Sequence, residues 1–229
     1  AADIATAIGG TGNARTITIK HQPYVTGTAT ITITINDGGL QNTYTFKVTV
    51  KTAASYYWST LTTSASGAQI TYDSNGDLYA LNWSAGTVWK FTPQGTGTLL
   101  KSGFTNPLGL AIDANKNLFV SDGDGAIKKL AFNSANNTYG APTILASGVS
   151  AGEILISPDG STLYGGKFYQ IVKINTASGA VTVLAGSGTT GSADGTGLNA
   201  SFSYARYLAW DNNGNILAAE ANSNVRQVT

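Results

Sequence analysis

The sequence predicts an all-β fold in which four-stranded propeller blades follow a partial β-sandwich. Three observations carry this. The stretch NPLGLAIDANKNLFVSDGDGAIKKLAF, residues 106–132, reads as strand, turn, strand, turn, strand, and the same frame recurs from Ile70, Ile154 and Leu208. The turn residues that align the four units, Asp73, Asp113, Ser157 and Asp211, lie 40, 44 and 54 residues apart, and a period near 40 with about four short strands per unit is the signature of propeller blades. Within the first 52 residues the chain from Ala14 instead alternates strictly between apolar and polar in three stretches, which marks antiparallel strands buried on one side.

In residues 1–52, RTITIK sets Ile17 and Ile19 against Thr16 and Thr18 on the opposite face. TATITITIN then sets Ala29, Ile31, Ile33 and Ile35 against a row of threonines, and TYTFKVTVK sets Tyr44, Phe46, Val48 and Val50 against Thr45, Lys47, Thr49 and Lys51. Three such strands are too few for a sandwich, which takes about seven. The segment therefore reads as the C-terminal strands of a module whose other strands precede Ala1 or come from another molecule. Residues 53–66, rich in Ala, Ser and Thr, break the alternation and read as a linker and entry strand, with Tyr56, Tyr57 and Trp58 packed at the junction.

The propeller is expected over 67–229. In its second unit the strands are Gly109–Asp113, Leu118–Ser121 and Ala126–Phe132, and Thr98–Leu100, Thr143–Leu145 and Val181–Leu184 supply fourth strands to the first three units. None follows Val225–Val228. Four blades are thus visible with the last incomplete, fewer than the six usual for such repeats, so a truncated six-bladed ring is expected. A Gly-, Ser- and Thr-rich insertion at 185–202 explains the longest step. Asp73, Asp113 and Asp211 suit turns because their carboxylates cap the following backbone, and Gly76 and Gly214 supply the positive φ that such turns require.

Composition narrows the function classes. Charged residues make up 11%, against about 25% in an average globular protein. The net charge of +1 supplies no field for nucleic acid or an acidic membrane. No apolar run is long enough for a membrane helix, which excludes direct insertion by that route. The low charge points to an extracellular or cell-surface place, with which the absence of Cys is compatible. Met is absent even at position 1, so the chain reads as processed or as a piece of something longer.

The repeat units resemble NHL repeats over roughly residues 60–229. NPLGLAIDANKNLFVSDGDGAIKKL shows the order Pro-x-Gly, apolar-x-apolar-Asp, Asn followed by three apolar residues, Asp-Gly and apolar-Lys-Lys, and residues 181–228 reproduce the inter-blade loop with its Gly-Ser-Gly, Asp-Gly and Ala-x-Phe elements. The first and third units depart, lacking the Pro, and the third has Ser157-Pro158-Asp159-Gly160 in place of Asp-x-x-Gly. The first 52 residues resemble the end of the cadherin-like or immunoglobulin-like modules of bacterial surface proteins, through GTGNARTITI, GTATITITINDGG and TYTFKVTVK.

Strand direction says where a site belongs. Loops joining the second and third strands, together with the crossovers between blades, open on one end of the ring, and the Asp-x-x-Gly turns open on the other. The first end gathers Trp83, Asp122, Asp124, Lys167, Tyr169 and Glu220 with Asn222 from the loops, and Asn106, Tyr204 and Arg206 with Glu153 from the crossovers. The expected function is non-catalytic binding or adhesion at the cell surface, a propeller on a sandwich stalk that takes a glycan, a protein or another copy of itself. Aromatic faces at the loops suit sugar rings. The alternative, implied by likeness to propeller lactonases and lyases, is a metal-dependent enzyme resting on Glu153, Glu220, Asp122 and Asn106. A second alternative is a structural filament or sheath subunit, favoured by Ile-Thr strands that pair edge to edge. No catalytic residue and no cofactor are assigned. Calcium at Asp122-Gly123-Asp124-Gly125 stays open as an alternative, although the spaced ligand run of an EF-hand is missing. His21, the single histidine, falls in the first segment and reads as a strand-end residue.

Overall fold

The computed structural model describes residues 69–229 except 94 and 223, and four strands within the first 50 residues. The chain divides into two compact units, Ala1–Thr60 and Leu61–Thr229. The expected linker at 53–66, with Tyr56, Tyr57 and Trp58, lies outside the described residues.

In the first unit, β1 (Ile4–Gly9) pairs with β2 (Thr16–His21), and β3 (Gly27–Asn36) pairs with β4 (Gln41–Val50), both antiparallel. The alternation sets the register. In the register Ile31 pairs with Phe46, Ile33 with Tyr44 and Ala29 with Val48 across β3 and β4, while the neighbouring pairs join Thr30 with Lys47 and Thr32 with Thr45, and these last four are exposed. β1 corrects the expected count of three strands: its alternate positions are Ala5, Ala7 and Gly9, so IATAIG lacks the polar row that betrays the others. His21 ends β2, as expected.

The second unit is built from four antiparallel sheets, each ordered as the chain runs. Blade 1 holds β5 (Ile70–Tyr72), β6 (Leu78–Asn82), β7 (Thr87–Phe91) and β8 (Gly97–Ser102). Blade 2 runs through β9 (Gly109–Ile112), β10 (Leu118–Ser121) and β11 (Ile127–Leu130), makes a small ribbon of β12 (Phe132–Asn133) and β13 (Thr138–Tyr139), and ends with β14 (Thr143–Ala146). Blade 3 holds β15 (Ile154–Ile156), β16 (Thr162–Lys167), β17 (Gln170–Asn175) and β18 (Val181–Ala185). Blade 4 has three strands among the described residues, β19 (Ala205–Trp210), β20 (Ile216–Glu220) and β21 (Val225–Val228). In each complete blade the fourth strand joins across a β-bulge, at Val88/Trp89, Ile127/Lys128 and Ile171/Val172.

The cores lie between blades. Tyr79, Leu81 and Val88 of blade 1 pack on Leu110, Leu118 and Val120 of blade 2. Phe119 and Ile127 on the other face of blade 2 meet Ile154, Leu163 and Val172 of blade 3. Ile171 of blade 3 meets Leu208, Ile216 and Ala218 of blade 4. Blades 2 and 3 thus divide their apolar residues between two neighbours, which is how stacked sheets cover both faces. Each large side chain buried this way contributes about 1.5–3 kcal/mol.

The turns on one end of the blades follow the expected chemistry. The Oδ1 of Asp73 accepts the N–H groups of Asn75 and Asp77 at 2.9 and 3.1 Å, that of Asp113 accepts Asn117 at 2.8 Å, and that of Asp211 accepts Asn213 and Asn215, each at 2.8 Å. Gly76 and Gly214 take φ of 81° and 83°, as expected; in blade 2 a non-glycine residue, Lys116, does the same at 64°. In blade 3 the hydroxyl of Ser157 accepts the Thr162 N–H at 3.0 Å, so a longer turn reaches the same end.

Candidate functional site

The opposite end of the blades carries a cleft of about 260 Å³, lined by Trp83, Leu108, Gly152, Glu153, Tyr204, Arg206 and Tyr207. Every blade contributes. Trp83 stands in the turn between β6 and β7, Leu108 enters β9, Gly152 and Glu153 enter β15, and Tyr204, Arg206 and Tyr207 enter β19. The volume sits just below the usual range for ligand pockets, about 300–1,000 Å³, which suits one small molecule.

Three aromatic rings stand partly free there, with Trp83 47%, Tyr204 39% and Tyr207 54% exposed. Tyr204 takes a left-handed φ of 60° and makes an edge contact with Phe168 at 5.7 Å, and the Phe168 carbonyl accepts the Ala205 N–H at 2.9 Å. Gly166 permits this approach: a Cβ at that position would fall 2.1 Å from the Ala205 carbonyl oxygen. A bulge between Ala205 and Tyr207 then breaks the alternation of β19, so Arg206 and Tyr207 are both exposed, with the guanidinium 5.5 Å from the Tyr207 ring centre.

The acid of the cleft is Glu153. Burial pushes its carboxyl above the ordinary carboxylate range, opposed by the Leu208 N–H, which donates to Oε2 at 3.4 Å. The adjacent backbone is braced by Gln69. Its Oε1 accepts the Leu110 N–H at 2.7 Å and the Ile154 N–H at 3.4 Å, and its Nε2 donates to the Ile154 carbonyl at 3.1 Å, so one amide ties the entry strands of blades 2 and 3.

Of the residues expected at this end, Trp83, Glu153, Tyr204 and Arg206 come together in the cleft. Asn106, at φ 52°, directs its Nδ2 to the Trp83 carbonyl at 3.5 Å. Asp122 has no exposed side-chain surface: Lys128 donates to it at 2.5 Å and to Asp124 at 2.6 Å. The Lys128 bond holds the Asp124 carboxyl below its ordinary range. Glu220 is also buried. Its Oε1 accepts the Ser203 N–H at 2.9 Å and lies 3.8 Å from the Arg226 guanidinium, while Oε2 has no hydrogen-bond partner among the described residues. Asp122 and Glu220 stand at the same place in their blades, nine residues after Asp113 and Asp211, each with a cation from the following strand. Lys167 pairs with Gln170 across the β16–β17 hairpin, with Tyr169 in its turn, and Asn222 accepts the Asn224 N–H at 3.2 Å. These residues do not line the cleft.

Sequence reasoning missed Leu108, Gly152, Tyr207 and Gln69. The run Asn106-Pro107-Leu108 marks a crossover and was the available signal for Leu108. Nothing local announces the bulge that exposes Tyr207. Among the described residues no three His, Cys, Asp or Glu side chains converge as metal ligands.

Solved structures share this arrangement. An auxiliary nutrient binding protein from Bacteroides thetaiotaomicron superposes with a TM-score of 0.56 at 18% identity, over 68% of this chain and 46% of its own. The fold is a β-propeller. The PQQ-bound form of an aldose sugar dehydrogenase from Streptomyces coelicolor gives 0.52 at 18% identity over 68% of this chain and 56% of its own. The PQQ domain of pyranose dehydrogenase from Coprinopsis cinerea gives 0.52 at 14% over 72% and 48%. The propeller described here therefore spans about half the length of these structures. No protein-family model and no curated protein matches the chain.

Proposed function

We propose that the chain is a non-catalytic binding protein whose propeller takes a small polyhydroxy ligand, of the size of one sugar ring, in the cleft at the crossover end. The observation that carries this is the convergence of three partly exposed aromatic rings with one carboxyl and one guanidinium in a space of about 260 Å³. Aromatic faces stack on the C–H faces of a sugar, and Glu153 and Arg206 offer an acceptor and donors to its hydroxyls. The likeness to a nutrient binding protein and to two sugar-oxidising domains supports a ligand of this class. The finer reading follows the sequence: NHL-type blades carried on an immunoglobulin-like or cadherin-like stalk, displayed outside the cell, with a surface glycan as the natural source of such a ring.

Titration calorimetry against a panel of neutral monosaccharides tests this. Trp83→Ala and Tyr204→Ala should each weaken binding about 30-fold, the roughly 2 kcal/mol of a contact at the centre of a site. Binding should fall on acidification at a higher pH than an ordinary glutamate would set, because the ionised Glu153 is the better acceptor and its carboxyl is raised; Glu153→Gln should remove that dependence. Equal binding by wild type and Trp83→Ala would sink the assignment. A second reading, a propeller hydrolase with Glu153 as acid and base, draws on the same raised carboxyl. Turnover of a bound lactone or glycoside that vanishes in Glu153→Gln would select it.

A further inference from the structure

The turn end of the blades, opposite the aromatic cleft, carries a second cleft between blades 3 and 4. It measures about 490 Å³ and is lined by Ser157, Asp159 and Tyr164 of blade 3 and by Trp210, Asp211 and Gly214 of blade 4. The same place between blades 1 and 2, lined by Asp73, Ser74, Ile112, Asp113 and Lys116, holds about 240 Å³. Position by position the two correspond: Ser157 stands for Asp73, Trp210 for Ile112, Asp211 for Asp113 and Gly214 for Lys116.

An ammonium group fills the smaller cleft. Lys116 sits three residues after Asp113 with a φ of 64°, in the left-handed region that favours glycine, and Gly76, Gly160 and Gly214 take that position in the other blades. Its Nζ crosses to Asp73 of blade 1 at 3.0 Å and lies 5.8 Å from the Phe132 ring centre, so one cation is shared between a carboxylate and an aromatic ring. At Gly160 the neighbouring blade closes the space, because an added Cβ would stand 3.4 Å from that of Asp113. At Gly214 an added Cβ would meet nothing within 4 Å.

The larger cleft has the groups that hold such a cation and no lysine of its own. The Ser157 hydroxyl donates to Asp159 at 2.5 Å, which brings a carboxylate beside the position of Asp73. Asp211 supplies a second from the facing blade. Hydrogen bonds, led by those from the Ser157 hydroxyl and the Asn215 amide, hold the two carboxyls at about 2, so both are charged. Trp210, fixed by the bond from its Nε1 to the Ile156 carbonyl at 2.9 Å and by an edge contact with Tyr164 at 5.4 Å, supplies the aromatic surface. Among the described residues neither carboxylate forms an ion pair, and Lys173, opposite Tyr164 in the β16–β17 register, reaches neither. We propose that the cleft between blades 3 and 4 binds a primary alkylammonium group, of a free amine or a lysine side chain, between Asp159 and Asp211 against Trp210, as Lys116 fills its counterpart from within the chain. The site is separate from the aromatic cleft, and its test does not depend on that cleft's ligand.

The probes are n-pentylamine and N-acetyl-lysine amide, titrated into the intact chain and followed by the Trp210 indole N–H resonance, which is assigned by its loss in Trp210→Phe. A saturable shift in the millimolar range is expected, weakened by added salt. Binding of the capped lysine points to a polypeptide source, and binding of pentylamine alone to a free amine. Asp159→Asn, a change at an exposed position, should weaken binding about threefold or more. Gly214→Lys, which supplies the ammonium from the turn as Lys116 does, should raise Tm and abolish the shift. The proposal is overturned if n-pentanol or pentanoate moves the resonance to the same extent, if Asp159→Asn or folded Gly214→Lys binds as wild type does, or if neither amine binds.

Discussion

Asp211 shows how much one turn side chain settles. The Nδ2 of Asn215 donates to its Oδ2 at 2.8 Å, and the N–H groups of Asn215 and Asn213 and the Gln227 amide donate as well, which holds the carboxyl at about 2. Asp159 reaches about 2 in blade 3 through the Ser157 hydroxyl and the N–H and hydroxyl of Ser161. Both carboxyls bind protons more weakly folded than unfolded. Their contribution to stability is complete above the ordinary aspartate value, about pH 3.9, and is lost as pH falls through about 2. Thermal melts between pH 5 and 2 should therefore show Tm falling toward the acid end, and Asp211→Asn should flatten that slope; an unchanged slope would clear the turn of responsibility. Gln69 makes a neutral counterpart. Gln69→Ala strips partners from the Leu110 N–H and the Ile154 carbonyl, and the cost expected from urea unfolding is about 1–3 kcal/mol.

At the scale of elements, Gly166 carries the approach of β16 to the entry of blade 4. A Cβ there would lie 2.1 Å from the backbone oxygen of Ala205, and backbone on both sides cannot yield as a side-chain tip does. Gly166→Ala should cost about 3 kcal/mol, the upper part of the usual overpacking range, and should weaken ligand binding too, because it displaces Tyr204. Melting together with monosaccharide titration separates the two effects. What the sequence made legible follows the same division. The Asp-x-x-Gly turns, the strands and the end of the ring that holds the cleft all depend on neighbours within a few residues. The fates of Asp122 and Tyr207 do not. Asp122 is claimed by Lys128 because the β10–β11 register brings Val120 opposite Lys128, and Tyr207 is turned outward by a bulge in β19. β1 escaped notice because Ala5 and Ala7 hide its alternation.

For the propeller as a whole, stability is a sum over blades and the interfaces between them, since each sheet meets only its neighbours. Blades 2 and 3 are covered on both faces. Blade 1 buries Tyr79, Leu81 and Val88 against blade 2 but turns Ile70 and Tyr72 outward, at 62% and 75% exposed. Blade 4 turns out Tyr207 and Val225, at 54% and 69%. Among the described residues the outer blades therefore show one packed interface where the inner ones show two, and within these four sheets opening should begin in blades 1 and 4. Hydrogen exchange should be slowest in β10, β11, β16 and β17 and fastest in β5 and β21. Phe119, fully buried at the interface of blades 2 and 3, decides whether the four sheets melt together. Phe119→Ala should cost about 3–5 kcal/mol and split one melting transition into two, because the apolar interface of blades 2 and 3 is the largest core among the described residues that joins the two halves of the row. A single cooperative transition in that variant, with exchange uniform across all four blades, would mean that coupling runs through the entry strands and Gln69 instead of through the stacked faces.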